Sequence, residues 1–462
     1  MGFVADSHDA VREALIGDQA RRRFIRSVHT GYDQAQRMIG SHTVEWERQI
    51  RDLEQRASAR SAYADLDAKI NVLRNRQLVF RRVLDAILFS ITGYELQILK
   101  RMTLDNMVHR IDPDVVERTL VEAGRLNRES RYRFNLVCDL TTIIQVGDLI
   151  QIDKAPGSHK TWQIIELKSG RVNMELKGYL DREKNALDES ALKEIETKLG
   201  RHAVSQARRM ERQMFRADQV VSMAKTDRAI DARTGKIVRS NPVRLDTDHY
   251  GHALENLIKK GSTDLAVQTI ERCLHFVCLP QERLNVVGGL LAVRHIFYHL
   301  MHPEAPCSFE VGGDPKDELE TLQKIAPFFD FVELNLRDSF MEPLFIFPLD
   351  FPITARLVLG KIRLFTVMDF EELIRMGRED DIPMRWATPK ETEDIKRFVP
   401  IIPGSPGARG IRVDFEGDDA HTMLAGSLFR VYGNLTTPRG LLKMAKSYPQ
   451  HRRQIEAAEK RQ

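Results

Sequence analysis

In the stretch Trp162–Gly170, WQIIELKSG, a carboxylate and an ammonium stand two residues apart inside an apolar run patterned like a buried strand. Side chains two apart on a strand share a face, so Glu166 and Lys168 project together while Ile165 and Leu167 take the other side. Burying either charge alone is costly, so the pair needs a reason. Asp148, in QVGDLIQID, opens the preceding apolar run, and a hairpin turning in KAPGSHK would set it beside Glu166. Two carboxylates that close repel, and one must take up a proton unless a cation intervenes. A divalent ion, Mg²⁺ or Mn²⁺, removes the conflict, because hard cations prefer oxygen ligands and Mg²⁺ is commonly held by one or two carboxylates. Such an ion makes a nucleophile of bound water and neutralises charge growing on a phosphate. Lys168 would position or activate that water. The chemistry expected from these three side chains is metal-assisted phosphodiester hydrolysis; the plain alternative is a surface salt bridge on an ordinary strand.

VGDLIQID…WQIIELKSG resembles the core of the PD-(D/E)XK nuclease superfamily, the restriction-endonuclease-like fold, with an Asp at one strand and Glu/Asp-x-Lys on the next. Asp148 and Glu166-Leu167-Lys168 fill that pattern, and Gly147 stands where the usual Pro would be. The resemblance covers residues 110 to 240 and implies the order helix, three strands, helix, strand. Here that would be a helix at 112–127, the three strands after it, a helix at 200–216 and a strand near 237. It implies metal ligation by Asp148, Glu166 and the backbone carbonyl of Leu167, with Lys168 assisting the attacking water. It also implies a further Glu from the upstream helix, Glu117 in preference to Glu122 because it is mid-helix, and Gln206 facing the site from the downstream helix. The implied substrate is DNA ahead of RNA, in a setting such as bacterial defence against foreign DNA. A non-catalytic nucleic-acid-binding or assembly protein that retains the fold is the alternative.

The elements that must position these residues follow from periodicity. Apolar residues recur at three- and four-residue steps through Ile50, Leu53, Ile70, Leu73, Val83, Ile87 and Ile91, which predicts a helical N-terminal region able to serve as a homo-oligomerisation arm. IDPDVVERTLVEAG carries its own signals: Asp112 to cap, Pro113 at the first helical position and Gly124 to end it. YRFNLVCDL, DLIQID and TWQIIELK read as three strands. Residues 187–224 read as helix with a break at Gly200, and DARTGKIV as a hairpin. Arg201, Arg208, Arg212 and Arg216 fall along one side of that helix, with Arg209 beside them, a candidate phosphate-contacting ridge. A solvated helix face is the plain reading of such a ridge.

From Pro242 a second mixed region is expected. HALENLIKKGSTDLAVQTIERCLHFVC and MDFEELIRMGRED read as helix; FFDFVELN, FIFPLD, TARLVLGKIRLFTV, GIRVDFEG and LFRVYGN read as strand. Cys273, His275 and Cys278 could join His295, His299 and His302 in a zinc site only if the two segments met in space, and cysteines in an apolar helix are ordinarily core residues. The fold class is therefore α/β of the α+β kind: a helical region at 1–110, a restriction-endonuclease-like mixed-sheet core at 111–241 and an α/β domain at 242–462 that could bind a protein partner or ligand. The 462 residues are 42% hydrophobic and 29% charged, ordinary for a globular chain, and a net charge of +4 says little about partners. Four cysteines argue against a disulfide scaffold and for a reducing compartment. MGFVADSHDAVREAL has no signal-peptide pattern and Val83–Leu99 is interrupted by Asp85 and Glu95, so a cytoplasmic protein without membrane association is expected.

Overall fold

A computed structural model describes residues 18–58, 63–92, 99, 102, 109–130, 132–153, 161–167, 171–183, 187–226, 228–230, 237–239, 248–284, 289–304, 328–337, 343–346, 349–396, 410–415, 421–423 and 430–460. The chain is α+β and divides into two compact units that meet in sequence at Pro242 and Val243. Every strand pairing among the described residues is antiparallel. Among those residues, no helix is long and apolar enough to cross a membrane.

In the first unit two long helices, α1 (Asp18–Ser58) and α2 (Tyr63–Thr92), pair through Ile50, Ile70 and Leu73, with Trp46 and Leu53 against them. Ile50, Leu53, Ile70 and Leu73 of the expected stripes thus form the seam between these helices. They do not form a separate arm, because buried polar contacts stitch them to the core. From α1, the Gln36 side chain accepts from Val137 N (2.8 Å) and donates to Asn135 O (3.2 Å). From α2, fully buried Asp85 accepts from Arg82 (2.9 Å), from Thr142 N (2.8 Å) and from the Thr142 hydroxyl (2.5 Å). Arg81 donates to the carbonyls of His109 (2.7 Å) and Thr141 (2.6 Å). The segment leading to Asp148 is therefore held by charges buried with their partners.

Helix α3 (Pro113–Glu129) starts as expected, with the Asp112 carboxylate accepting from Asp114 N and Pro113 at the first position. It does not stop at Gly124. The extra turn carries Asn127, whose side chain bonds Asp33 (2.9 Å) and Asn135 N (2.7 Å), so tertiary hydrogen bonds outweigh the glycine signal. Strands β1 (Arg133–Val137), β2 (Leu149–Asp153) and β3 (Thr161–Ile165) form a sheet in chain order. Helices α4 (Arg171–Arg182), α5 (Glu189–Leu199) and α6 (Arg201–Thr226) follow, with Gly200 at φ +87° closing α5. The hairpin expected in DARTGKIV is present, but the strand near 237 lies outside the core sheet. Strands β4 (Arg228–Ile230) and β5 (Ile237–Arg239) form their own two-stranded hairpin, and the described core sheet has three antiparallel strands.

In the second unit, α7 (Gly251–Gly261) is helical as expected, but the rest of that segment is β6 (Ala266–Ile270) and β7 (Leu274–Pro280). All of β7 is buried, which makes it a continuous apolar run resembling a helix in sequence. Leu274, Phe276 and Cys278 join one core cluster while Val277 and Leu279 join another with Val293 and Phe297, so the strand is covered on both faces. His275 and Cys278 consequently face opposite sides, which rules out their sharing a zinc ion. The turn before β7 uses Glu271 and Arg272 at positive φ, positions where a glycine or asparagine would have announced a hairpin.

Other expected strands also resolve differently. FFDFVELN is a two-residue strand followed by the helix Phe331–Arg337, and FIFPLD contributes a 3₁₀ turn at Leu344–Ile346. TARLVLGKIRLFTV is split at Gly360 between the helix Phe351–Val358 and the strand Ile362–Met368. Residues 430–433 of LFRVYGN are helical.

Two predictions follow from burial. Asp85→Ala strands the buried Arg82 charge, so denaturant titration should show a loss of about 3–5 kcal/mol; a loss below about 1 kcal/mol would contradict this network. His275 is buried, and desolvation lowers its pKa from 6.5 to about 4. Protonation then opposes folding, so its contribution is whole above pH 6.5 and is lost as the pH falls towards 4, by at most roughly 3 kcal/mol. The acid limb of the pH–stability curve should flatten in His275→Gln; identical limbs would refute the assignment.

Candidate active site

The site is built by one register. Leu149 pairs with Ile165 as the last rung of the ladder, and Asp148 N donates to Ile165 O (3.0 Å), which brings Asp148 beside the segment that carries Glu166. The Asp148 carboxylate accepts from Leu167 N (2.5 Å), so it turns towards the Glu166–Leu167 segment and is oriented by backbone. Beneath them, Cys138 N donates to Asp148 O (2.9 Å). The Cys138 thiol is pushed well above its usual pKa by burial and then by the charges of Asp139, Asp148 and Glu166. One buried sulfur thus feels three carboxylates.

Asp148, Glu166 and Leu167 line a cleft of about 770 Å³ and also a neighbouring recess of about 440 Å³. Gln206 and Arg209 border the cleft, with Met210 and Gln213 completing one face of α6 at three- and four-residue steps. Gln206 is therefore where the sequence pattern put it. Of the arginine ridge, Arg209 reaches the cleft. Arg201 and Arg208 are exposed and paired with Glu196 (2.9 Å) and Glu211 (3.3 Å), and Arg212 is exposed. None of these three borders the cleft, because they lie on a neighbouring face of the helix. The Arg216 side chain and all of Lys168 lie outside the described residues.

Glu117 does not reach the site. Its carboxylate takes both guanidinium nitrogens of Arg48 (2.8 and 2.9 Å), which holds its pKa below the usual carboxylate range. The face of α3 turned to the cleft and recess carries Val115, Arg118, Thr119 and Glu122, and Glu117 falls opposite. Glu122 borders the recess and is bonded by Arg125 (2.6 and 3.0 Å). A mid-helix position could not decide between the two glutamates; the side of the helix that meets the sheet does.

Two cleft residues escaped the sequence reading. Asp139 lies in the 3₁₀ turn Cys138–Leu140 after β1, exposed at the cleft, and partial desolvation raises its carboxyl pKa against the opposing pull of Arg81, Arg209 and His109. Arg118 sits one helical turn before Glu122. The only signal for either was its place in an element flanking the motif.

Gly147 accounts for the missing proline. It lies at φ +77°, and a Cβ there would collide with the Ile164 methyl. Proline is fixed at negative φ and could not make this turn.

Two carboxylates and a peptide carbonyl in a polar cleft form an all-oxygen donor set suited to Mg²⁺ or Mn²⁺. Among the described residues, no group of three or more His, Cys, Asp or Glu side chains is arranged to hold a metal, so ligation by side chains here would rest on the two carboxylates. Comparison with protein-family models, curated proteins and solved structures finds no match to this chain.

Gly147→Ala should cost about 1–3 kcal/mol in denaturant titration, through left-handed backbone strain and the Ile164 clash. Stability unchanged within a few tenths would show that the turn is not constrained as described.

Proposed function

We propose that the protein is a metal-dependent nuclease that hydrolyses phosphodiester bonds, in DNA ahead of RNA. The observation that carries this reading is the end of the β2–β3 ladder, which brings Asp148 and Glu166 to one open polar cleft bordered by Gln206 and Arg209. Asp148 and Glu166, with the Leu167 carbonyl, would hold Mg²⁺ or Mn²⁺, and the backbone bond from Leu167 N fixes the Asp148 carboxylate for that task. Once bound, such an ion supplies Lewis-acid stabilisation of the phosphate charge and lowers the pKa of a coordinated water. Lys168, two residues beyond Glu166, orients the attacking water and offsets the developing negative charge. Gln206 donates from α6 to a phosphate oxygen, and Arg209 adds positive charge on the same wall. The upstream-helix carboxylate that supports the site is Glu122, since Glu117 is committed to Arg48. Defence against foreign DNA is a setting that the family resemblance implies.

The test is cleavage of plasmid DNA and of RNA with Mg²⁺, Mn²⁺ or EDTA. Asp148→Asn, Glu166→Gln and Lys168→Ala should each lose at least about 100-fold in rate, EDTA should abolish cleavage, and Glu117→Gln should cleave like wild type. Equal rates in wild type and the three site variants, or no cleavage under any condition, would leave a non-catalytic nucleic-acid-binding protein as the better account.

A further inference from the structure

The cleft is bordered by four arginines, and two of them are bonded within the protein. Arg81 is buried and bonded to the carbonyls of His109 and Thr141. Arg110 is paired with Glu47 and, at 2.7 Å, with Glu54. Arg209 makes no hydrogen bond or ion pair among the described residues, but it borders the cleft alone and not the recess. Arg118 makes no hydrogen bond or ion pair among the described residues, although it borders both the cleft and the recess in company with Asp148, Glu166 and Leu167. An exposed guanidinium beside two carboxylates, bonded to neither, is a cation kept for an anion that arrives from solution. Arginine's planar fork matches two oxygens of one phosphate, a geometry lysine does not reproduce. Among the described residues, no Phe, Tyr or Trp lines either cavity, and His109 is the one ring at the cleft.

We propose that Arg118 is a phosphate anchor of this site: it grips the nucleic-acid backbone beside Asp148 and Glu166, in the cleft that Arg209 also borders, and reads backbone charge without reading sequence. This rests on the nuclease reading for its substrate. Binding, however, can be measured without cleavage.

The experiment uses the full chain carrying Asp148→Asn, so that the probe is not consumed, and a short fluorescein-labelled DNA duplex over a range of salt concentrations. Adding Arg118→Ala should weaken binding about tenfold and lower the log–log salt slope by about one, as expected for one lost phosphate contact. Adding Arg118→Lys should keep the slope. In the otherwise wild-type chain, Arg118→Ala should slow cleavage by at least tenfold, with Arg118→Lys intermediate, and thermal melts should be unchanged because the side chain is exposed. An unchanged salt slope in Arg118→Ala overturns the anchor and leaves the nuclease reading intact if wild type cleaves. A lost unit of slope in a chain that never cleaves supports the anchor and overturns the nuclease reading. No binding by the parent chain overturns both.

Discussion

The candidate site depends on the pairing of Leu149 with Ile165. That register brings Asp148 beside the Glu166–Leu167 segment and lets the Asp148 carboxylate take the Leu167 N–H. Side chains alternate along a strand, so a slip of one residue would turn one carboxylate to the opposite side of the sheet. The register is held from both ends. On one side, β2 is clamped between β1 and β3 and its Leu149, Ile150 and Ile152 are buried. On the other, Gly147 admits a left-handed turn against Ile164, so the chain enters the strand in one phase only.

The long N-terminal helices belong to the same argument. A carboxylate and a guanidinium with no exposure at all, Asp85 and Arg82, would be a liability without Thr142 to complete their hydrogen bonds. Through the bonds to Thr142 they tie α2 to the segment that runs into Gly147 and Asp148. Arg48 on α1 pairs with Glu117 on the side of α3 away from the cleft. The helical region is thus part of the scaffold that orients the site, within one compact unit.

Much of this unit was legible in the sequence because local signals and tertiary packing agree there. Asp112 and Pro113 start α3, Gly200 closes α5, and the apolar runs around Gln151 and Gln163 pair as a hairpin. The choice of Glu117 over Glu122 failed because it depended on the direction from which the sheet approaches α3, which no local pattern encodes. Gly124 misled for a related reason: the hydrogen bonds of Asn127 reward one more helical turn. In the second unit the errors cluster where strands are buried on both faces. β7 has no polar alternation to mark it, and its preceding turn is made by Glu271 and Arg272, not by a glycine. The same double burial separates His275 from Cys278 and dissolves the apparent metal pattern.

The central claim is that Asp148 and Glu166 act together as an oxygen-donor pair for a divalent cation. Isothermal titration of Mn²⁺ into the full-length protein, compared with the Asp148→Asn/Glu166→Gln double variant of equal thermal stability, tests it without reference to any substrate. The account predicts a saturable binding event in the wild type that disappears in the double variant. Indistinguishable titrations, whether both bind or neither does, would contradict it.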